Sequence, residues 1–328
     1  MNWFFSCSNS KDDETDLRVN LLAAHEKGET CDDVTKSMIG KRFTHSELAS
    51  ATRNFKNLIG EGNFGCVYKG VLKSGEMVAV KQLKEKYNLK FNVDAHALMF
   101  SHSNLVTLID YCTDGDQKFL VSEYMPLGSL QNHLFDLKPK QKPIDWSTRL
   151  KIAVGVARGL EYLHCKTNPP VIYRYMRSSN ILLDNDFNPK LSDFGVVEDE
   201  SNARHYVPVL GYCTPEYLGA FKWTLKSDIY TFGVVLLELI TGRKAFDDTK
   251  KQEERCLVDW FRPLIKDRNK FIQVLDPLLQ GRVPVRVVIR MIAVTAMCLK
   301  KYPDGRPLIN DIVVRLQHIA SIPQIPDD

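Results

Sequence analysis

The sequence predicts an α+β fold of two unequal lobes, a small β-rich N-lobe at about 55–124 and a larger, mainly helical C-lobe at about 125–320. Three observations carry this. From Leu58 to Leu83, and again at LVTLIDYC and KFLVSEY, short apolar runs rich in β-branched and aromatic residues are broken by turn sequences. Beyond them, apolar residues recur at helical spacing. With 328 residues, 44% apolar and 26% charged, there is enough chain for a core in each lobe.

The elements follow in order. Residues 1–42 read as a flexible tail, with six basic and eight acidic side chains for a net −2, and 321–328 as a second tail. Patterning begins at Phe43, where Thr44 followed by Glu47 forms a capping box and Leu48, Ala51 and Phe55 fall at helical spacing. CVYKGVL and MVAVKQL, joined by a Ser74-Gly75 turn, predict a hairpin. A helix-like segment covers about Phe91 to Phe100, and the turn TDGDQ separates two further strands. Leu150, Ala153, Val154, Ala157 and Leu160 place an amphipathic helix at about 147–164. A helix capped by Ser227, nearly apolar to Ile240 and closed by Gly242, belongs at the centre of its lobe.

Composition excludes several functions. The net charge of +4 is spread without a basic stretch, so nucleic acid is not the expected partner. Eight widely spaced cysteines without a CxxC pair fit reduced thiols rather than zinc or a disulfide framework. His102, His133, His164 and His205 lack metal-ligand spacing. Apolar runs such as GVVLLELI fall short of the roughly 20 residues of a transmembrane span, and the N-terminus has no basic signal-peptide region. Asn2 excludes myristoylation, and no polybasic anchor is present. Cys7, beside Trp3, Phe4 and Phe5, is a candidate for palmitoylation, although a lone cysteine is ordinarily a free thiol.

Chemistry concentrates in four segments. Gly60, Gly62 and Gly65 stand at GxGxxG spacing, but the residues after Gly65 continue a strand, which argues for a glycine hairpin over phosphates and against a dinucleotide turn. Sixteen residues on, Lys81 of VAVK is a lone cation inside a strand, suited to pair with α- and β-phosphates. YRYMRSSNILLD and KLSDFG then supply Asn180 and Asp193 as oxygen ligands for Mg²⁺. Glycine hairpin, VAVK, loop Asn and DFG in this order are jointly far more specific than any one of them.

On these motifs, together with FTHSELASATRNFK, IGEGNFGCVYKG, EYMPLGSLQNHLF, GYCTPEY and TLKSDIYTFGVVLLELITGRKAFD, the chain resembles the eukaryotic protein kinases, within them the plant receptor-like cytoplasmic kinases, over residues 43–320. The resemblance implies a bilobal protein-kinase-like fold holding ATP and Mg²⁺. The matched nucleotide positions are Ile59, Gly60, Glu61, Gly62, Gly65, Val67, Ala79, Lys81, Ser122, Glu123, Asn180 and Asp193, the last two as metal ligands. It also implies cytoplasmic signalling at the inner face of the plasma membrane, with receptor kinases or immune signalling proteins as partners. Glu216 with Arg306, and Asp228, match structural residues of the family's C-lobe.

The pattern breaks in the catalytic loop, where the family carries an aspartate that accepts the substrate proton. Tyr175 stands there. A phenol of pKa about 10 stays protonated at neutral pH, and its ring fills space where a hydroxyl should dock. Arg177 replaces the loop lysine that steadies the γ-phosphate. Asp94 best matches the helix glutamate that pairs with Lys81, one methylene shorter. The segment from Asp193 to Glu216 is about four residues shorter than the family's, leaving Arg174 little phosphate to bind, and Ser122 stands where a larger hinge-flanking residue is usual. The expected function is therefore that of a pseudokinase which binds nucleotide. The alternatives are a weakly active serine/threonine kinase and an acceptor substrate modified at Ser178, Ser179 or Ser201.

Overall fold

The structure, a computed structural model, describes residues 43–62, 64–84, 100–194, 209–265, 271–279 and 283–323. Helix α1 (His45–Ala51) begins at the predicted capping box. Glu47 N donates to Thr44 Oγ1 at 3.2 Å, and Thr44 N donates to the Glu47 carboxylate at 3.0 Å, satisfying two amides that the first turn leaves open.

Strands β1 (Leu58–Glu61), β2 (Gly65–Val71), β3 (Met77–Leu83), β4 (Leu108–Asp114) and β5 (Gln117–Glu123) form an antiparallel sheet in the order β1-β2-β3-β5-β4. The period of two sorts its faces. Val78, Val80, Cys112, Phe119 and Val121 pack with Leu48 of α1 in one small core. Ala79, Lys81 and Ser122 lie on the opposite face, where Leu83, Leu120 and Phe64 join the main core. One face holds the lobe together, and the other faces the chemistry.

The strand predicted at LVTLIDYC starts later than expected, at Leu108. Leu105 bridges to Leu191 and Val106 N donates to Leu191 O at 2.9 Å, so this end of the segment joins the C-lobe instead of the sheet. The turn is also tighter. Asp114 pairs with Gln117 around Gly115, whose φ of +55° suits a two-residue hairpin. Nearly all of the predicted helix near 91–100 lies outside the described residues.

The C-lobe opens with a small sheet of β6 (Gly128–Ser129), β7 (Ile181–Leu183) and β8 (Pro189–Leu191). Its helices are α2 (Leu130–Leu134), α3 (Trp146–Cys165), α4 (Pro215–Ala220), α5 (Leu225–Thr241), α6 (Leu257–Leu264), α7 (Phe271–Val274), α8 (Val285–Cys298) and α9 (Ile309–Ser321). Helix α3 is the predicted amphipathic helix. Helix α5 is the predicted central one, buried at every residue from Ser227 to Thr241 and closed by Gly242 at φ +62°. Its cap differs from the expectation: Thr224, extended at φ −143°, accepts from Ser227 N, and Ser227 serves as the third-residue partner whose Oγ accepts from Thr224 N. The Ser227 hydroxyl also donates to Glu216 at 2.8 Å. Glu216 in turn meets Arg306 through two bonds of 2.7 Å, the predicted buried pair of the C-lobe.

Candidate active site

The glycine hairpin is closed by Gly62 N donating to Gly65 O at 2.9 Å. A Cβ on Gly65 would stand 1.8 Å from the Gln82 carbonyl oxygen, so β2 and β3 approach only because no side chain is there. At Gly60 and Gly62 a Cβ would meet nothing within 4 Å. Bare backbone thus borders open space, which is the room a phosphate requires. Ile59 and Glu61 are exposed, with Glu61 3.6 Å from Lys84, and Val67 lies opposite Lys81 in the ladder. Phe64 does what its position in a glycine turn does not announce. It is 2% exposed, its ring centroid 5.2 Å from Lys81 Nζ and 4.7 Å from the Tyr175 ring, edge to face at 86°.

Lys81 Nζ lies 2.6 Å from Asp193 Oδ1, so the strand cation and the DFG carboxylate form an ion pair across the lobes. Asp193 holds φ +62°, an unusual conformation for a residue with a side chain. Asp94, the expected partner of Lys81, lies outside the described residues, as does Ser201.

The catalytic loop is fixed from below by Asp228, whose carboxylate accepts from Tyr173 N at 2.7 Å and Arg174 N at 2.8 Å and lies 2.8 Å from His164 Nε2. This turns Arg174 to φ +65° and brings Tyr175, 8% exposed, beneath Phe64. Asn180 Nδ2 donates to Tyr175 O at 2.9 Å, while Asn180 Oδ1 accepts from Arg177 Nε at 3.2 Å. Ser192 N donates to Asn180 O at 2.9 Å, which sets the loop against the strand leading to Asp193. The Tyr173 hydroxyl donates to Ser192 O at 2.6 Å. Burial first, then Asp193, raises the Tyr173 phenol well above its ordinary value, although Arg177 opposes the shift. Ser178 is 2% exposed and so closed to a modifying enzyme in this conformation, whereas Ser179 is half-buried.

At the hinge, Ser122 lies opposite Ala79 and Leu108. The Glu123 carboxylate accepts from Lys190 Nζ at 2.8 and 2.9 Å and from Thr107 N at 2.7 Å, so any contact with a base is left to its backbone. Burial pushes this carboxyl up, but Lys190 and Thr107 hold it below the usual range.

Sequence reasoning missed one group. Glu238 of α5 is buried beneath the loop, accepting from the Tyr212 hydroxyl at 2.8 Å, from Ala245 N at 3.1 Å and from Ser178 Oγ at 3.5 Å. Its signal was a carboxylate in the apolar run LLELI, where an acid persists only with donors around it.

Open space beside Gly60 and Gly62, a cation at Lys81, and oxygen-bearing side chains at Asn180 and Asp193 together suit a nucleoside triphosphate with magnesium. No carboxylate stands at the loop position that would receive a proton. A protein kinase domain profile matches residues 53–314. The chain is 55% identical to the probable serine/threonine-protein kinase PBL21 of Arabidopsis thaliana over 293 residues, covering 86% of the chain and 77% of that protein. It is 51% identical to the probable serine/threonine-protein kinase PBL7 of the same plant over 328 aligned residues, 96% and 85% of the two chains. It is likewise 51% identical to the serine/threonine-protein kinase PBS1 over 292 residues, 85% of the chain and 64% of that kinase.

Proposed function

The chain belongs to the protein kinase family, and from that premise we propose that it is a receptor-like cytoplasmic kinase homologue which binds ATP but transfers phosphate poorly or not at all. It acts through protein contacts, as a scaffold, regulator or decoy in plant receptor-kinase and immune signalling. The observation that carries this is Tyr175, a buried phenol packed edge-on by Phe64 at the position of the proton acceptor. Loss of a positioned base costs about 10² to 10⁴ in rate, and a ring excluding the acceptor hydroxyl costs more.

The nucleotide-binding groups support the other half of the reading. Gly60 and Gly62 border open space where phosphates can lie, Lys81 offers them a charge, and Asp193 offers an oxygen for magnesium, which when bound screens the phosphate charge. Ser122 and Ala79 leave a small-sided wall beside the adenine region. Among the described residues no helix is long and apolar enough to cross a membrane. Location in the cytoplasm, held at the plasma membrane through palmitate on Cys7, is part of the proposal, as are receptor kinases as partners.

A second reading, an active serine/threonine kinase working by positioning and electrostatics, is favoured by Lys81, Asn180 and Asp193 all being in place. Thermal denaturation with Mg-ATP beside phosphotransfer from labelled ATP separates them. At 100 times its dissociation constant, Mg-ATP stabilises a binding protein by about 2.7 kcal/mol. A raised melting temperature without phosphotransfer is the expected result. No shift at saturating nucleotide overturns the nucleotide-binding half, and transfer abolished by Asp193→Ala overturns the pseudokinase half.

A further inference from the structure

Protein kinases hold two magnesium ions, one on the DFG aspartate and one on the loop asparagine. In this chain both ligands are already met by the protein's own cations, and not equally. Asp193 gives only Oδ1 to Lys81, so its second oxygen remains for a metal. Asn180 has no such spare. Its Nδ2 donates to Tyr175 O at 2.9 Å, which fixes the amide so that Oδ1 accepts from Arg177 Nε at 3.2 Å and from Ser179 Oγ at 3.5 Å, one donor for each lone pair. A magnesium ion bound to that oxygen at about 2.1 Å would stand at most about 5 Å from a guanidinium that never loses its charge.

Arg177 is itself incompletely matched. It is half-buried, it makes no ion pair with a carboxylate among the described residues, and its two terminal nitrogens have no hydrogen-bond partner among them. Its terminal nitrogens are not among the buried unpaired atoms, so solvent or an anion can reach the fork, and its planar geometry matches two oxygens of a phosphate. We propose that Arg177 takes the place of the second magnesium ion, so that the cleft binds a nucleoside triphosphate with at most one metal, held at Asp193, and retains it when metal is removed.

This rests on the nucleotide-binding reading above, and the experiment keeps the two apart. ATP affinity is measured by calorimetry in excess magnesium and in excess chelator, for the native chain, Arg177→Ala and Arg177→Lys, each first checked for a native circular-dichroism spectrum and a cooperative melt. Manganese bound per nucleotide is counted by electron paramagnetic resonance. The native chain is expected to bind ATP in chelator within about threefold of its affinity in magnesium, and to bind one manganese ion per nucleotide. Arg177→Ala is expected to lose about tenfold or more in chelator, as for a lost charge-assisted bond, while binding recovers with metal as Asn180 Oδ1 is released. Arg177→Lys, with a flexible stem and no fork, is expected to admit a second manganese ion.

A native chain that binds ATP only with metal, or that binds two manganese ions, overturns the inference and leaves the nucleotide-binding reading standing. Arg177→Ala binding metal-free ATP as the native chain does also overturns it. No binding under any condition removes both.

Discussion

Burial pushes the Glu238 carboxyl up to about 8, far above its ordinary range, because three hydrogen bonds do not repay the lost water. In the unfolded chain it ionises near 4.5, so between there and about 8 the folded state holds a proton that the unfolded state has released. Stability contributed by the neutral form is therefore lost as pH rises through that window, up to a few kcal/mol. Glu238→Gln mimics the protonated acid. Its melting temperature, relative to the native chain, is expected to rise steadily from pH 5 to 8; a constant difference would refute the buried neutral acid.

Phe64 gives a second residue-scale test. Phe64→Ala removes the ring between Lys81 and Tyr175 and is expected to cost about 3 kcal/mol of stability while tightening ATP binding, read by denaturation and calorimetry on one preparation. Weaker binding would show that the ring supports the phosphate site. Of these residues, Tyr175 stood out in the sequence as a departure from a motif of fixed spacing. The Phe64 contact did not, since nothing in GEGNFG tells which way the turn folds.

Among elements, the sheet was the most readable, because alternation in MVAVKQL and KFLVSEY assigns Val78, Val80, Phe119 and Val121 to one face and Ala79, Lys81 and Ser122 to the other. Boundaries were less so. Thr224 and Ser227 are both good capping residues three apart and bond each other reciprocally, so local pattern alone does not tell which of them is the cap. The glycine hairpin offers the sharpest element-scale contrast. Gly65→Ala is expected to destabilise the fold by about 1–3 kcal/mol or more by forcing β2 from β3. Gly62→Ala, with open space around it, is expected to change stability by no more than about 0.5 kcal/mol. Denaturant midpoints of the two variants decide this; equal losses would contradict the close approach at Gly65.

For the whole molecule, the two-lobed order could be read from where strand patterning gives way to helical patterning. The ties between lobes could not. Lys81 with Asp193, Glu123 with Lys190 and Phe64 with Tyr175 join residues more than sixty positions apart, and only the folded chain brings them together. Those ties give a cleft furnished for a triphosphate and closed over a loop that lacks its carboxylate. The most direct test is single-turnover phosphotransfer from labelled ATP to a protein acceptor, comparing the native chain with Tyr175→Asp and Asp193→Ala. The native chain is expected to transfer no more than Asp193→Ala does, and Tyr175→Asp to gain about 10² to 10⁴ over it. Native transfer at the roughly 1–100 s⁻¹ usual for kinases, abolished in Asp193→Ala, would contradict the account.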